Sequence, residues 1–193
     1  MLFKKIKIRV KAFFLRFLGI ENNEQYIQKL QKRGLIVGAN FNMQKDVILD
    51  DTHCWLIKIG NNVTMAPRVH VLCHDASTKH FLNYTRIGLV QIGNNVFIGA
   101  NSVIMPSVII GNNVIIAAGS VVTKNIEEGT IVAGVPAKKI GITKDYILEN
   151  KENLNNSFTY DESYTMRKKI SQKKKHKMIT EMESSKHKQA YII

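Results

Sequence analysis

His74 is the side chain whose type and setting best suit it to chemistry. It lies in "VLCHDASTKHFLNYTR" (residues 71–86), after a stretch of fixed hydrophobic period and just before that period breaks. Counted in six-residue steps from Val71, it takes a fourth position, which should face outward. A neutral imidazole accepts a hydroxyl proton near neutral pH and can return it to a leaving thiolate, so an outward histidine beside a long loop is a natural general base. Its neighbour Cys73 is a second candidate, since a thiol next to histidine can be activated. Adjacent residues of a strand face opposite sides, however, so the two should point apart.

The element that must position His74 is a repeat. Ile-Gly-Asn-Asn-Val begins at Ile59, Ile92 and Ile110. Between 92 and 127 it widens into a strict hexad, with Ile92, Ile98, Ile104, Ile110, Ile116 and Val122 at the first positions and Val96, Ser102, Val108, Val114, Ser120 and Ile126 at the fifth. Self-similarity of this kind signals a stacked architecture. Six residues make a short strand plus a turn, and three such sides close a triangular coil that sets Ile92 over Ile110 and Ser102 over Ser120. Stacked coils bury a continuous aliphatic column, each contacting only its neighbours. Gly and Asn suit the corners, where the backbone visits the left-handed region.

The same register runs through Ile59, Met65 and Val71. Ile59 to Ile92 exceeds one eighteen-residue coil by fifteen residues, so a loop of that length, about 75–89, should leave the coil. A long loop inside a compact repeat is more often functional than accidental. Upstream, "LIVGANFNMQKDVILDD" (35–51) suits a less regular first coil, and residues 21–34 suit a short helix, ending at Gly34, that caps the open column.

The net charge of +13 belongs to the ends. Residues 1–20 hold six basic residues and no acid, and 163–193 hold nine against two, leaving 21–162 formally neutral. Phe3, Ile6, Val10, Phe13, Phe14, Phe17 and Leu18 recur at near-helical spacing among the N-terminal lysines and arginines. That suits a helix on an anionic membrane surface or one packed on protein. Charges interrupt this stretch too often for a transmembrane span, and its clean apolar run is too short for a secretory signal. "RKKISQKKKHK" lacks aromatic interleaving, so nucleic acid is not the expected partner; residues 141–193 form a Lys-rich extension whose default is a solvated tail. Two cysteines, Cys54 and Cys73, are too few for a disulfide framework and suit a reducing cytoplasm.

The hexads, the loop and the closing "IIAAGSVVTKNIEEGTIVAGVPAKKI" (115–140) resemble the bacterial hexapeptide-repeat acetyltransferases. The branch they most resemble holds the maltose, galactoside and capsular-sugar O-acetyltransferases. The match covers roughly residues 24–140, and "GSVVTK" followed ten residues later by "GVPAK" is its most specific part. The resemblance implies a mainly β fold: a left-handed parallel β-helix over residues 35–140, with a short N-terminal capping helix and a basic C-terminal tail. It implies a homotrimer with acetyl-coenzyme A in a groove between neighbouring β-helices. It also implies a sugar or oligosaccharide hydroxyl as acceptor, no metal, and a cytoplasmic place, extended by residues 1–20 to the inner face of the membrane.

Residue by residue, the resemblance makes His74 the catalytic base. Phe97, Ala100, Ala118, Thr123 and Lys124 become the coenzyme-binding positions, with the Thr-Lys pair at the nucleotide end, where a mobile ammonium suits phosphates. "NFN" and the paired aspartates resemble acceptor-side elements, which leaves Asn40, Asn42, Asp50 and Asp51 as candidates to bind the acceptor or orient the imidazole. The spacing departs from the family here, since extra residues including "HCWLIK" stand between "NFN" and "IGNN". Asp75 follows His74 where the maltose and galactoside enzymes have proline, and Gly141 stands at the family's late basic position. The expected reaction is direct transfer in a ternary complex. Two rivals share the fold: a carbonic-anhydrase-like metal site using His70, His74 and either His53 or His80, and a non-catalytic trimeric scaffold.

Overall fold

The computed structural model describes residues 23–185 and 189–193; the basic segment at residues 1–20 lies outside them. The chain divides into two compact units, one ending at Thr143 and the other spanning Lys144–Ile193.

The first unit is a left-handed parallel β-helix. Face A stacks Ile36–Val37, Ile57–Ile59, Val90–Ile92 and Ile109–Ile110. Face B stacks Asn42–Met43, Thr64–Met65, Phe97–Ile98, Ile115–Ile116 and Thr130–Ala133. Face C stacks Ile48–Leu49, His70–Val71, Val103–Ile104 and Val121–Val122. Strands this short follow from the hexad, which leaves two residues for pairing and the rest for turning the corner. The second residue of each pair points inward: Met65, Val71, Ile98, Ile104, Ile116 and Val122 are fully buried. Each such side chain contributes about 1.5–3 kcal/mol through burial. Ser102 and Ser120 are equally buried, and both hydroxyls donate to the Ala117 carbonyl, at 3.0 and 2.7 Å.

The corner between faces A and B is the most regular. Asn40, Asn62, Asn95 and Asn113 all have φ between +55° and +57°. Their side-chain amides form a ladder, each Nδ2 donating to the next Oδ1 at 2.8, 2.9 and 3.1 Å. Beside it, the Oδ1 atoms of Asn61, Asn94 and Asn112 accept the backbone N–H of Ala39, Asn61 and Asn94. Glu128 ends both ladders by accepting from Asn112 and Asn113. Asparagine tolerates the left-handed region and brings its own donor and acceptor, which is why it recurs there.

The corner between faces C and A is broken twice, on successive coils. Leu49 to Ile59 takes ten residues where a hexad takes six, and Val71 to Ile92 takes twenty-one. The second excursion begins with His74–Asp75 paired antiparallel to Arg86–Ile87. Between them run a 3-10 turn at Ala76–Thr78 and a helical turn at Lys79–Leu82 that ends at Asn83, φ +60°. Arg86 ties its base through a 2.8 Å ion pair to Asp75.

A helix at Asn23–Lys32 packs on the first coil. Leu30 is fully buried and the Tyr26 hydroxyl donates to the Leu49 carbonyl at 3.0 Å. Gly34 follows it at φ +106°, and a Cβ there would stand 2.8 Å from Trp55 Cβ. At the far end, Thr130–Ala133 turns back on Lys138–Ile142 in an antiparallel pair that includes Gly141 opposite Ile131.

The expectation of a solvated C-terminal tail is corrected. The second unit holds helices at Thr143–Asn155 and Gln172–Ser184, and a parallel pair of Thr159–Tyr160 with Tyr191–Ile192. Tyrosines organise it. Tyr160 is buried and donates to Glu181 at 2.9 Å, its ring 4.8 Å from Tyr164, over which Lys174 Nζ sits at 4.7 Å. The lysine run thus lies in a capped helix, where Lys174 sits over the Tyr164 ring, with Ser171 accepting from the Lys174 N–H as its N-cap.

Candidate active site

The two breaks at the C/A corner stack one above the other, and this brings Asp50 under His74. Register decides the meeting. Leu49 pairs with Val71, so the residues that follow each of them leave face C on adjacent coils, roughly 4.8 Å apart. Asp50 Oδ2 lies 2.5 Å from His74 Nδ1, with the carboxylate side chain 1% exposed and the imidazole 37%. A buried carboxylate is costly unless its oxygens are satisfied. Here Oδ2 also accepts the Cys73 N–H at 2.8 Å. Oδ1 accepts the Thr52 hydroxyl at 2.7 Å and the N–H groups of Thr52 and His53 at 3.2 Å. Burial works to raise the Asp50 pKa, but the Thr52 hydroxyl, the Cys73 N–H and His74 outweigh it and bring it down to about 2.

A carboxylate can only accept hydrogen bonds, so His74 Nδ1 carries the proton it shares with Asp50. In the neutral imidazole Nε2 then holds the free lone pair, on the more exposed side of the pair. The same logic fixes His53. The single Thr52 hydroxyl proton is directed at Asp50, so Thr52 Oγ1 receives the proton of His53 Nδ1, 2.9 Å away. Each imidazole is thus left with a lone pair on Nε2, and the ring centroids lie 5.4 Å apart with planes at 43°. On the far side of His53 stands Trp55, also at 5.4 Å, half exposed.

Of the acceptor-side candidates, Asp50 alone joins His74. Asp51 is exposed beside it, Asn40 belongs to the A/B corner ladder, and Asn42 opens a face B strand with its Oδ1 held by Gln44. Cys73 points into the core, fully buried, and its thiol is pushed up to about 12 by burial and by the charge of Asp50. It is not a nucleophile at ordinary pH. His70 lies outward on face C and His80 in the loop helix; neither joins the cluster. Asp50, His53 and His74 offer ligand atoms within 4.8 Å of one another. N–H and O–H donors already crowd both Asp50 oxygens, which suits a proton-handling carboxylate better than a cation ligand.

The coenzyme candidates fall into two groups. Thr123 and Lys124 are exposed at the C/A corner two coils beyond His74, with Met105–Ser107 between them. Phe97 points out from face B, 45% exposed, between Thr64 and Ile115. Ala100 and Ala118 stack at the B/C corner, where the Gly119 N–H donates to the Ala100 carbonyl at 2.8 Å. Gly99 permits that close stacking, since a Cβ on it would lie 2.4 Å from the Ala118 nitrogen. One chain does not bring the second group to His74.

Thr52 and Trp55 are the neighbours of this cluster that sequence reasoning did not assign, and His53 entered it only as a possible metal ligand. The signal was present in the spacing: ten residues between inward Leu49 and Ile59 mark a break at the same corner as the long loop.

Comparison with known proteins agrees with this architecture. A family model described as bacterial transferase hexapeptide (six repeats) matches residues 90–124. Protein CapG of Staphylococcus aureus is 40% identical over 151 residues, covering 74% of this chain and 86% of that protein. Among solved structures, a maltose O-acetyltransferase from Clostridium difficile 630 superposes with a TM-score of 0.51 at 38% identity, over 56% of this chain and 59% of that one. The hexapeptide-repeat containing acetyltransferase VCA0836 from Vibrio cholerae O1 biovar eltor, complexed with acetyl coenzyme A, gives 0.53 at 28% identity, over 58% and 62%. The chain thus spans about three fifths of either solved structure and most of CapG. By its stacked hexads, its matched repeat and its likeness to CapG, the chain belongs to the hexapeptide-repeat acetyltransferase family.

Proposed function

We propose that this chain moves the acetyl group of acetyl-coenzyme A to a hydroxyl of a sugar or surface polysaccharide in a ternary complex, with His74 as general base. The observation that carries the reading is the 2.5 Å contact of His74 Nδ1 with buried Asp50. It fixes the tautomer in which Nε2 is a base. His74 Nε2 takes the proton as the acceptor oxygen attacks the thioester carbonyl, and Asp50 stabilises the imidazolium that forms. Collapse of the tetrahedral intermediate breaks the C–S bond, and the imidazolium returns the proton to the thiolate. A positioned base supplies about 10²–10⁴-fold, so backbone donors to the oxyanion and simple positioning must supply the rest.

Phe97, Ala100, Ala118, Thr123 and Lys124 would hold the coenzyme, and a homotrimer accounts for their division. The Phe97–Ala100–Ala118 edge of one protomer would face the His74 corner of its neighbour. Residues 1–20 would add peripheral contact with anionic membrane from the cytoplasmic side; among the described residues no helix is long and apolar enough to cross one.

The test is thiol release from acetyl-coenzyme A across a panel of sugars and oligosaccharides, beside His74→Ala. Acceptor-dependent release should fall at least about a hundredfold in the variant, with coenzyme binding nearly intact. Wild-type turnover in His74→Ala would remove the base, and no release together with no coenzyme binding would overturn the reading.

A further inference from the structure

The four residues by which the first coil overruns its hexad bring a tryptophan and a second histidine to the catalytic corner, and the reaction as derived uses neither. Trp55, His53 and His74 form a row of three rings, each 5.4 Å from the next. We infer that His53 and Trp55 are the acceptor subsite: Trp55 stacks on the apolar C–H face of a pyranose, and His53 Nε2 accepts a hydrogen bond from the hydroxyl adjacent to the one His74 deprotonates. This rests on the acetyl-transfer reading above.

Three features of this corner support it. First, both imidazoles are held by their Nδ1 atoms, His74 to Asp50 at 2.5 Å and His53 to Thr52 at 2.9 Å. Two imidazoles with centroids 5.4 Å apart therefore each keep a lone pair on Nε2, a pairing that suits two neighbouring O–H donors. A vicinal diol on a sugar ring has that pattern; a single isolated hydroxyl or a serine side chain does not. Second, Trp55 leaves half of its surface exposed although it is a large apolar ring beside a buried core, where Cys54 and Ile57 are fully covered. An indole held open next to a base offers a flat face for the C–H side of a sugar. Third, the ring is held rather than loose. Trp55 Cβ packs so close to Gly34 that a Cβ there would stand only 2.8 Å from it, and Cys54 Sγ donates to the Leu30 carbonyl at 3.6 Å. The capping helix thus fixes the backbone on which Trp55 and His53 are mounted. The coil that normally ends a hexad in a tight corner instead builds a wall of the site.

Trp55 is the sole tryptophan of the chain, so binding is readable without catalysis. The experiment titrates methyl glucoside, methyl galactoside and N-acetylglucosamine, with their oligomers, into the full chain while following indole emission. The same panel is run for thiol release in wild type, Trp55→Ala and His53→Phe, with the monodeoxy analogues of whichever sugar is accepted. Saccharide should shift the Trp55 emission. Trp55→Ala should raise the acceptor KM about tenfold while the KM for acetyl-coenzyme A stays within about twofold. Wild type should reject the analogue lacking the neighbouring hydroxyl by about tenfold or more, and His53→Phe should lose most of that discrimination, because only a site built to bond a hydroxyl penalises its absence.

Transfer that proceeds with unshifted emission, an unchanged acceptor KM in Trp55→Ala and equal discrimination in His53→Phe overturns the subsite and leaves the acetyltransferase standing. An emission shift with no transfer to any acceptor overturns the acetyl-transfer reading and the acceptor role that rests on it, and leaves a saccharide-binding corner. Neither signal, in protein with an unaltered melting temperature, overturns both.

Discussion

The A/B corner and the C/A corner of the β-helix are built from similar polar residues and put them to opposite uses. At the A/B corner four coils keep register, and each asparagine finds its own copy one coil away. Donors and acceptors cancel, and little remains for a ligand. At the C/A corner two coils overrun by four and fifteen residues. No side chain meets its copy there. Asp50 meets His74, Thr52 bridges to His53, and the imidazoles are left with unshared lone pairs. Intact register makes polar residues structural; broken register on neighbouring coils makes them available for chemistry.

The sharpest way to break this contrast is Asp50→Asn. The asparagine amide turned toward His74 Nδ1 would be a donor, and the imidazole would answer by moving its proton to Nε2. The base would then be lost while its position is kept, and kcat should fall about a hundredfold or more. Coenzyme affinity should be little changed. A variant within about threefold of wild type would show that tautomer control by Asp50 is not what the second break provides.

The mirror experiment is Asn95→Ala. Asn95 donates to Asn113, accepts from Asn62 and holds φ +55°. Losing two modest hydrogen bonds, and putting alanine where asparagine's own side chain makes the left-handed backbone tolerable, should destabilise the fold by about 2 kcal/mol, with turnover unchanged. Asn95→Gly should recover the conformational part. Denaturant midpoints and kcat measured together distinguish this from a corner that takes part in the reaction.

The same contrast explains what was legible in the sequence. The hexads announce the coil because one β-branched residue per face is a demand the sequence repeats unchanged, from Ile92 to Val122. His74 was legible as the residue at the break. Its partner was not: Asp50 and Asp51 are chemically alike in sequence, and only the pairing of Leu49 with Val71 sends one of them under the imidazole. Asn40 resembled a site residue because the ladder that absorbs it runs between coils, at separations of 22, 33 and 18 residues, and the two longer ones carry the insertions. The C-terminal unit was hidden for a different reason. Its lysines dominate the composition, while a few tyrosines do the packing.

Acid stability should report the buried carboxylate. Asp50 titrates at about 2 in the folded chain against an ordinary 3.8. A depressed folded pKa means that its contribution, on the order of 2 kcal/mol, is fully present above pH ~4 and is lost as pH falls toward 2. Wild type should lose stability across that window faster than Asp50→Asn, which has no proton to take up at this position. Parallel slopes for the two proteins between pH 5 and 2 would mean that the carboxylate is not held by its five donors.

The smallest expected effect tests the join between the two imidazoles. Thr52→Val removes one hydroxyl at nearly constant volume and leaves the 2.5 Å contact of Asp50 with His74 in place. Asp50 keeps four donors, so the base should keep its tautomer and kcat should change little. His53 Nδ1 loses its acceptor, however, and its proton is free to move to Nε2, which turns an acceptor toward the substrate into a donor. The expected result is about a tenfold fall in kcat/KM for the sugar, carried mainly by KM. If kcat falls instead and KM does not, Thr52 serves the base through Asp50. The corner would then be a single proton network, not a base with a neighbouring wall.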